Sequence, residues 1–469
     1  MTAVSEAALS AEIYALQPDV VLGPDGAVEN VALVVDRGRI GALAAPDSLP
    51  DRYRTLEITR LERCAIVPGF IDTHHHVIEP FAKAVTCGEP AQMWKRIWFP
   101  LEATATPRTC YLGAKWTFLE ALRGGITTIV EHAIRPADCA DAVHRAAEET
   151  GIRLVSSTGG YDLKNFSTAA VTPDASSSID DALRRADQHM EDCRKYSRVE
   201  PSLACGTVQS NSGEMIKALS GYCRDHDIVF QIHANEHTLE VHACIEAYAK
   251  RPLEYLHSLG ALGPQTLIAH AVLVTPPELQ LLKETDTAVA YNPVASMWKG
   301  NGVAPALDYI RNGIRVGLGS DATRNDGFRM IEAAETCQRL AYGMANDDFS
   351  CGAGWPWVHA ATQGAADACG LGDKTGGLVA GRQADFLILD RSGPEVLPSW
   401  DFTWELVRYY DRADILATVV DGRPVVVGAR STLFDSEQFV RDDLAEGARW
   451  ITDTKIVRLH GSSENHRRR

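Results

Sequence analysis

The sequence has no CxxC pair, although its 469 residues include 11 cysteines. An odd number of scattered thiols is not a disulfide framework, which argues for a reducing compartment. No run approaches the roughly 18 consecutive apolar residues that a membrane-spanning helix needs. The first residues, Met1 to Ala15, carry acidic side chains and lack the basic-then-apolar layout of a secretory leader. Positive charge is also in short supply. Lys and Arg number 46 against 62 Asp and Glu, a formal net charge of −16, which argues against nucleic acid or an anionic membrane as the main partner. The one basic cluster, His466-Arg467-Arg468-Arg469, reads as a frayed terminus. There is no internal repeat and no long low-complexity stretch; Asp174 to Asp180 is a Ser-rich loop. What remains is a cytoplasmic globular chain with apolar residues enough for a full core.

What is present falls into two patterns. The ends are rich in short strands. Val31 to Val35 is a β-rich run followed by the turn Asp36 to Arg39. Ala384 to Asp390 is another, and Thr418 to Val420 with Val425 to Val427 forms a hairpin around Asp421-Gly422. The middle alternates between apolar strand-like runs and amphipathic helical stretches such as Thr109 to Arg123, Asp138 to Thr150 and Gly213 to His226. The runs are Ile66 to Ile71, Thr127 to Val130, Arg153 to Ser156, Ser202 to Cys205, Ile228 to Ile232, Thr266 to Ala269, Thr287 to Tyr291 and Ile314 to Leu318. Eight β-then-α units predict an α/β fold, a (β/α)8 TIM barrel over residues 64–377. Residues 1–63 and 378–435 are expected to form one small β-sandwich domain, and 436–469 a C-terminal helix and tail.

The sharpest chemical signal is Pro68-Gly69-Phe70-Ile71-Asp72-Thr73-His74-His75-His76, at the end of the first barrel strand. In extended backbone, residues two apart share a side. His74 and His76 can therefore aim at one ion while His75 points away, and imidazole nitrogen is a preferred zinc ligand. Three other strand ends carry His233 and Glu236 (His-Ala-Asn-Glu), His270 (Ala-His-Ala-Val) and Asp321 (Gly-Ser-Asp). Singly, each is an ordinary polar residue at a strand end. In a barrel, however, the C-terminal strand ends converge on one face.

This ordered set resembles the amidohydrolase superfamily, over nearly the whole chain. Gly377 to Asp385 is similar to that family's return into its β domain. The branch it looks nearest to contains adenosine-type and S-adenosylhomocysteine deaminases, guanine deaminase and s-triazine hydrolases. The resemblance implies that His74, His76, His233 and Asp321 bind one divalent metal ion, zinc in the first instance, with iron, cobalt or manganese as alternatives. It implies that His270 orients the attacking water or polarises the substrate, and that Glu236 shuttles protons. Two-metal members usually carry a bridging Lys on the fourth strand. Glu200 to Thr207 holds none, so a single metal is expected. Related enzymes are often homo-oligomers.

Several further residues are candidates for binding the substrate. Glu79 leaves the first strand three residues after His76 and can accept a hydrogen bond; a solvated loop carboxylate is the alternative. Trp94, Trp98 and Glu102 match the Trp-rich segment and following Glu that line the pocket in the deaminase branch, although plain packing also explains aromatics there. His132 follows the second strand. Two loops depart from the deaminase pattern: Val294 to Gly300, which contains Trp298, and Ala322 to Asp326, where Arg324 either binds an acceptor group or pairs with Asp326. Two enzymatic readings follow. One is an aminohydrolase releasing ammonia from a nitrogen heterocycle. The other is a hydrolase of an amide, urea, (thio)carbamate or aryl carbon–chlorine bond, like phenylurea, molinate and triazine hydrolases. A non-catalytic metal protein has no reason to keep an acid–base pair beside its ligands.

Overall fold

The computed structural model describes residues 9–89, 93–132, 139–163 and 178–458. The tail read as frayed, and most of the Ser-rich loop, lie outside the described residues.

The chain starts with β1 (Ile13–Gly23), β2 (Gly26–Glu29), β3 (Ala32–Asp36), β4 (Arg39–Ala44) and β5 (Ile58–Pro68). Eight strands then alternate with helices: β6 (Phe70–His75), β7 (Ile126–Glu131), β8 (Arg153–Gly159), β9 (Val199–Thr207), β10 (Val229–Ala234), β11 (Thr266–His270), β12 (Ala288–Tyr291) and β13 (Val316–Leu318). The last four strands are β14 (Phe386–Asp390), β15 (Ile415–Val420), β16 (Arg423–Val427) and β17 (Arg430–Ser431).

Both ends of the chain enter one nine-stranded sheet of order β17-β16-β15-β14-β5-β1-β3-β4, with β2 on β1. Its tight turns follow from local chemistry. Arg37-Gly38 and Asp421-Gly422 each take two successive positive φ angles, 49° and 82°, then 49° and 70°, as a two-residue hairpin requires. The sheet folds over a common core of Leu33, Val35, Ile66, Phe386 and Val419. Its two halves pair along β5 and β14, and the Tyr14 hydroxyl adds a tie between them by donating to the Gly422 carbonyl at 2.7 Å.

Strands β6 to β13 form a parallel sheet in sequence order, the (β/α)8 barrel expected. Seven of the eight strands, all but β9, are buried along all or nearly all of their length, which is why they read as continuous apolar runs. Between β13 and β6 the ring is tied by Thr73, whose hydroxyl donates to the Leu318 carbonyl at 2.9 Å, and by Asp321 N–H donating to the His74 carbonyl at 2.9 Å. A side chain at Gly317 would lie 2.2 Å from Thr73 Cγ2, so glycine permits this approach.

One sequence boundary moves. Ile66 to Ile71 reads as a single barrel strand with the small domain ending at 63, yet β5 stays in the terminal sheet to Pro68 and the barrel begins at Phe70. Gly69 is the switch: a Cβ there would sit 2.3 Å from Thr127 Oγ1. Both sides of the switch are apolar, so periodicity cannot divide them. The C-terminal helix Ser436–Asp453 packs Phe439 on Leu112 and Leu119 of helix Pro107–Arg123. Among the described residues, no helix is long and apolar enough to cross a membrane.

Candidate active site

The C-terminal strand ends of the barrel bring the predicted residues together. His74 lies within 4.8 Å of His233 and 5.1 Å of His76, ring centre to ring centre, with His270 at 5.2 Å and His132 at 5.4 Å. Asp321 Oδ1 is 3.6 Å from His76 Nε2, and its Oδ2 is 3.8 Å from His270 Nε2. His75 points away, as alternation demands, and bonds Asn325 Oδ1 at 2.5 Å. The backbone turns left-handed at His270 (φ 74°) and Asp321 (φ 57°), a costly conformation of roughly 1 kcal/mol or more that persists where the surroundings enforce it.

Hydrogen bonds fix the tautomers. His233 Nδ1–H donates to the Gly206 carbonyl at 2.8 Å, so its Nε2 presents a lone pair. Asn292 donates to His270 Nδ1 at 3.1 Å, which leaves the His270 proton on Nε2, facing the carboxylates of Glu236 and Asp321, each 3.8 Å away. Burial and crowding among neighbouring imidazoles hold His74 and His132 far below the ordinary histidine range. Burial takes His76 down to about 3 and His270 to about 4. The cluster is therefore neutral at pH 7, the form that binds metal. The carboxylates behave oppositely. Burial raises Glu236 and Asp321, but the close approach of His270 and of the Lys299 ammonium outweighs it and holds both below the usual carboxylate range.

At this barrel mouth, among the described residues, three groupings bring donor atoms close enough to hold an ion: His74, His132 and His233; His74, His270 and Asp321; and His76, Glu79 and Glu102. Around them lies a cavity of about 320 Å³, lined by His76, Glu79, Trp94, Trp98, Glu102, His132, His233, Glu236 and Asp321 among others. Its volume suits a small organic molecule.

Two predicted contacts are not placed there. Trp298 is 42% exposed and does not line the cavity. Its neighbour Lys299 does, and successive residues of the helix Pro293–Lys299 are turned about 100° apart, so the two cannot share a face. Arg324 also lies outside the cavity lining and pairs with Asp326 at 3.2 Å; Asp326 in turn caps the helix Gly327–Gln338.

Lys299 is the main residue that the sequence reading passed over. Its ammonium bonds Asp321 Oδ2 at 2.6 Å and Glu236 Oε1 at 3.1 Å, and Asn301 donates to the same Glu236 oxygen at 2.8 Å. Lys299 falls inside the seventh-strand segment that departs from the deaminase pattern, which was the available signal. Tyr161 and His237 also line the cavity, and His237 stacks on Trp94 at 5.1 Å.

The family model of the amidohydrolase family matches residues 65–425. This chain belongs to the amidohydrolase family. An amidohydrolase named 5-methylthioadenosine/S-adenosylhomocysteine deaminase, from Nitratidesulfovibrio vulgaris, is 29% identical over 91% of this chain and 94% of that protein. One of the same name from Natronomonas pharaonis is 30% identical over 87% and 90%. Among solved structures, an adenosine deaminase from Xanthomonas campestris with bound zinc superposes with a TM-score of 0.83 at 22% identity, covering 94% of this chain and 98% of that one. The zinc complex of an atrazine chlorohydrolase from Arthrobacter aurescens superposes at 0.81 and 22%, over 93% and 100%. At that identity the likeness to these two structures is one of fold.

Proposed function

We propose that this amidohydrolase is a metal-dependent aminohydrolase: it removes an amino group as ammonia from a ring carbon of a nitrogen heterocycle. The observation that carries this reading is the meeting of an ionised Glu236 with four imidazoles and Asp321 in one cavity, beside relatives named as deaminases.

In this reading a single divalent ion, zinc for preference, is held by His74, His76, His233 and Asp321, of which His74 with His233 and His74 with Asp321 fall in groups of donors close enough to share an ion. His74 Nε2 is buried without a hydrogen-bond partner, a costly state for a polar atom unless a ligand completes it. When bound, such an ion supplies the positive charge that lowers the pKa of water toward about 7. The protein's own groups do the rest. Glu236, kept ionised, accepts one proton of the attacking water and delivers it to the ring nitrogen, then carries the second, from the hydroxyl now on the ring carbon, to the departing amine. The oxygen joins the ring carbon, the exocyclic C–N bond breaks, and ammonia leaves. Lys299 and Asn301 fix Glu236 Oε1. His270 Nε2–H points at the space between the two carboxylates, where it can donate to developing negative charge.

Trp94 and Trp98 offer faces for stacking a heteroaromatic ring. Glu79 and Glu102 line the same cavity. Burial and the neighbouring Glu102 push the Glu79 carboxyl well above its ordinary range, so it holds a proton and can donate as well as accept. His132, placed against His233 at 4.2 Å, completes the wall. A cytoplasmic homo-oligomer acting on a small molecule is part of the same proposal.

The second reading, hydrolysis of an amide, urea, (thio)carbamate or aryl C–Cl bond, is favoured by one feature. Lys299 and its loop depart from the deaminase pattern beside the reacting centre. A panel of purines, pterins, pyrimidines and triazines, with ammonia, amine, thiol and chloride release scored separately on protein of known metal content, decides between them. Ammonia from a ring substrate is expected; amine or chloride release without ammonia would replace the first reading with the second.

A further inference from the structure

Behind the barrel wall lies a second cluster of ligand-type side chains. His144 comes from the helix Ala140–Thr150, while His189 and Cys193 come from the helix Ile179–Cys193. One donor atom from each lies within 4.8 Å of the others. All three are buried, at 0%, 4% and 1% exposure, and none lines the catalytic cavity. We propose that His144, His189 and Cys193 form a second, structural metal site that binds zinc through two imidazoles and a thiolate.

The spacing fits. His189 and Cys193 are four residues apart, on one helix face. Cys193 Sγ stands 3.9 Å from His189 Nδ1, the nitrogen left to an ion because Nε2 is held by the Ser156 carbonyl. Tetrahedral zinc, with Zn–S of about 2.3 Å and Zn–N of about 2.0–2.1 Å, draws sulfur and nitrogen to about 3.6 Å, a small closure. The outer contacts fit as well. His189 Nε2–H donates to the Ser156 carbonyl at 3.0 Å, and His144 Nε2 bonds Ser156 Oγ at 2.9 Å. Metal-binding histidines characteristically anchor their second nitrogen to a carbonyl or polar group in this way, fixing ring and tautomer. The buried Glu131, whose Oε2 is 3.5 Å from Ser156 Oγ, adds negative charge beside the cluster.

Formation of the S–Zn bond releases the Cys193 thiol proton to solvent. An ion there would tie two outer helices to β8. The three ligands are buried and lie outside the catalytic cavity, which suits an ion that holds helices in place rather than one that meets a substrate.

Cobalt distinguishes this site from the catalytic one, because only this site offers sulfur. The whole enzyme, stripped and reloaded with Co2+, should show a near-ultraviolet thiolate-to-cobalt charge-transfer band, and zinc loading should reach two ions per chain. In Cys193→Ser the band should vanish, with one zinc retained, catalytic turnover kept and the thermal midpoint lowered. If that variant fails to fold, His189→Gln is read in the same way. No band in the cobalt-saturated wild type, a single zinc per chain, or a band that survives Cys193→Ser would each overturn the proposal.

Discussion

Two buried charge clusters stand at opposite ends of the same barrel, and they are built on opposite plans. At the floor, Arg153 opens β8 and meets the terminal sheet. Its guanidinium bonds Asp421 Oδ1 at 2.6 Å and Asp385 Oδ2 at 3.2 Å. Asp385 also accepts from the Thr375 hydroxyl and the Asp421 N–H, each at 2.8 Å, and Asp421 accepts from Arg198 at 2.7 Å. Charge is matched and the lone pairs are used. At the mouth, burial is as deep, but His74 Nε2, His270 Nε2 and both ring nitrogens of His132 lack hydrogen-bond partners. A satisfied network holds two domains together; an unsatisfied one is waiting for a ligand. Burial alone does not separate structure from chemistry, but the completeness of hydrogen bonding does.

The contrast breaks most sharply at Glu236. Glu236→Gln should lower turnover by about 10²–10⁴-fold while metal content and fold stay intact; His74→Ala should lose metal and activity together. Full activity in the first, or unchanged metal by mass spectrometry in the second, would show that the mouth is assigned wrongly. At the floor the expected effect is on stability. Arg153→Met leaves the buried Asp385 without its cation and Asp421 with Arg198 alone, and should cost about 3–5 kcal/mol in denaturant unfolding, with kcat of the folded fraction unchanged. A pure loss of kcat there would erase the distinction between the two ends.

Acid should then find the mouth before the floor. His76 and His270 titrate in the folded, metal-free protein at about 3 and about 4, against roughly 6.5 when unfolded. Between those values the unfolded chain binds more protons, so this stability is complete above about pH 6.5 and is lost as pH falls toward 4. Urea titrations of the stripped protein at pH 7 and 5 measure it. The decline should be shallower in His270→Gln, and an equal decline would sink the account. The smallest test concerns two tryptophans. Trp94→Ala should raise KM by roughly tenfold, the scale of one lost aromatic stacking contact, whereas Trp298→Ala, half outside in solvent, should stay within about twofold.

Much of this was legible in the chain. The eight apolar runs mark the barrel because a strand buried on both faces must be continuously apolar. His74 and His76 were legible as a pair because extended backbone alternates, and His233, His270 and Asp321 because barrel strand ends share one face. Lys299 was not legible. Its neighbour Trp298 is the more conspicuous residue, and only the phase of a two-turn helix decides which of them enters the cavity. Nor was the switch at Gly69 legible, since apolar strand continues on both sides of it.

By itself, the sequence determined the elements, their order and the chemical types gathered at the strand ends, because periodicity and hydrogen-bonding capacity are local properties. Tertiary structure alone decided which nitrogens are left without partners, which carboxylates Lys299 holds ionised, and that His144 meets His189 and Cys193. Those outcomes depend on distances between residues far apart in the chain, and on burial that no single segment carries.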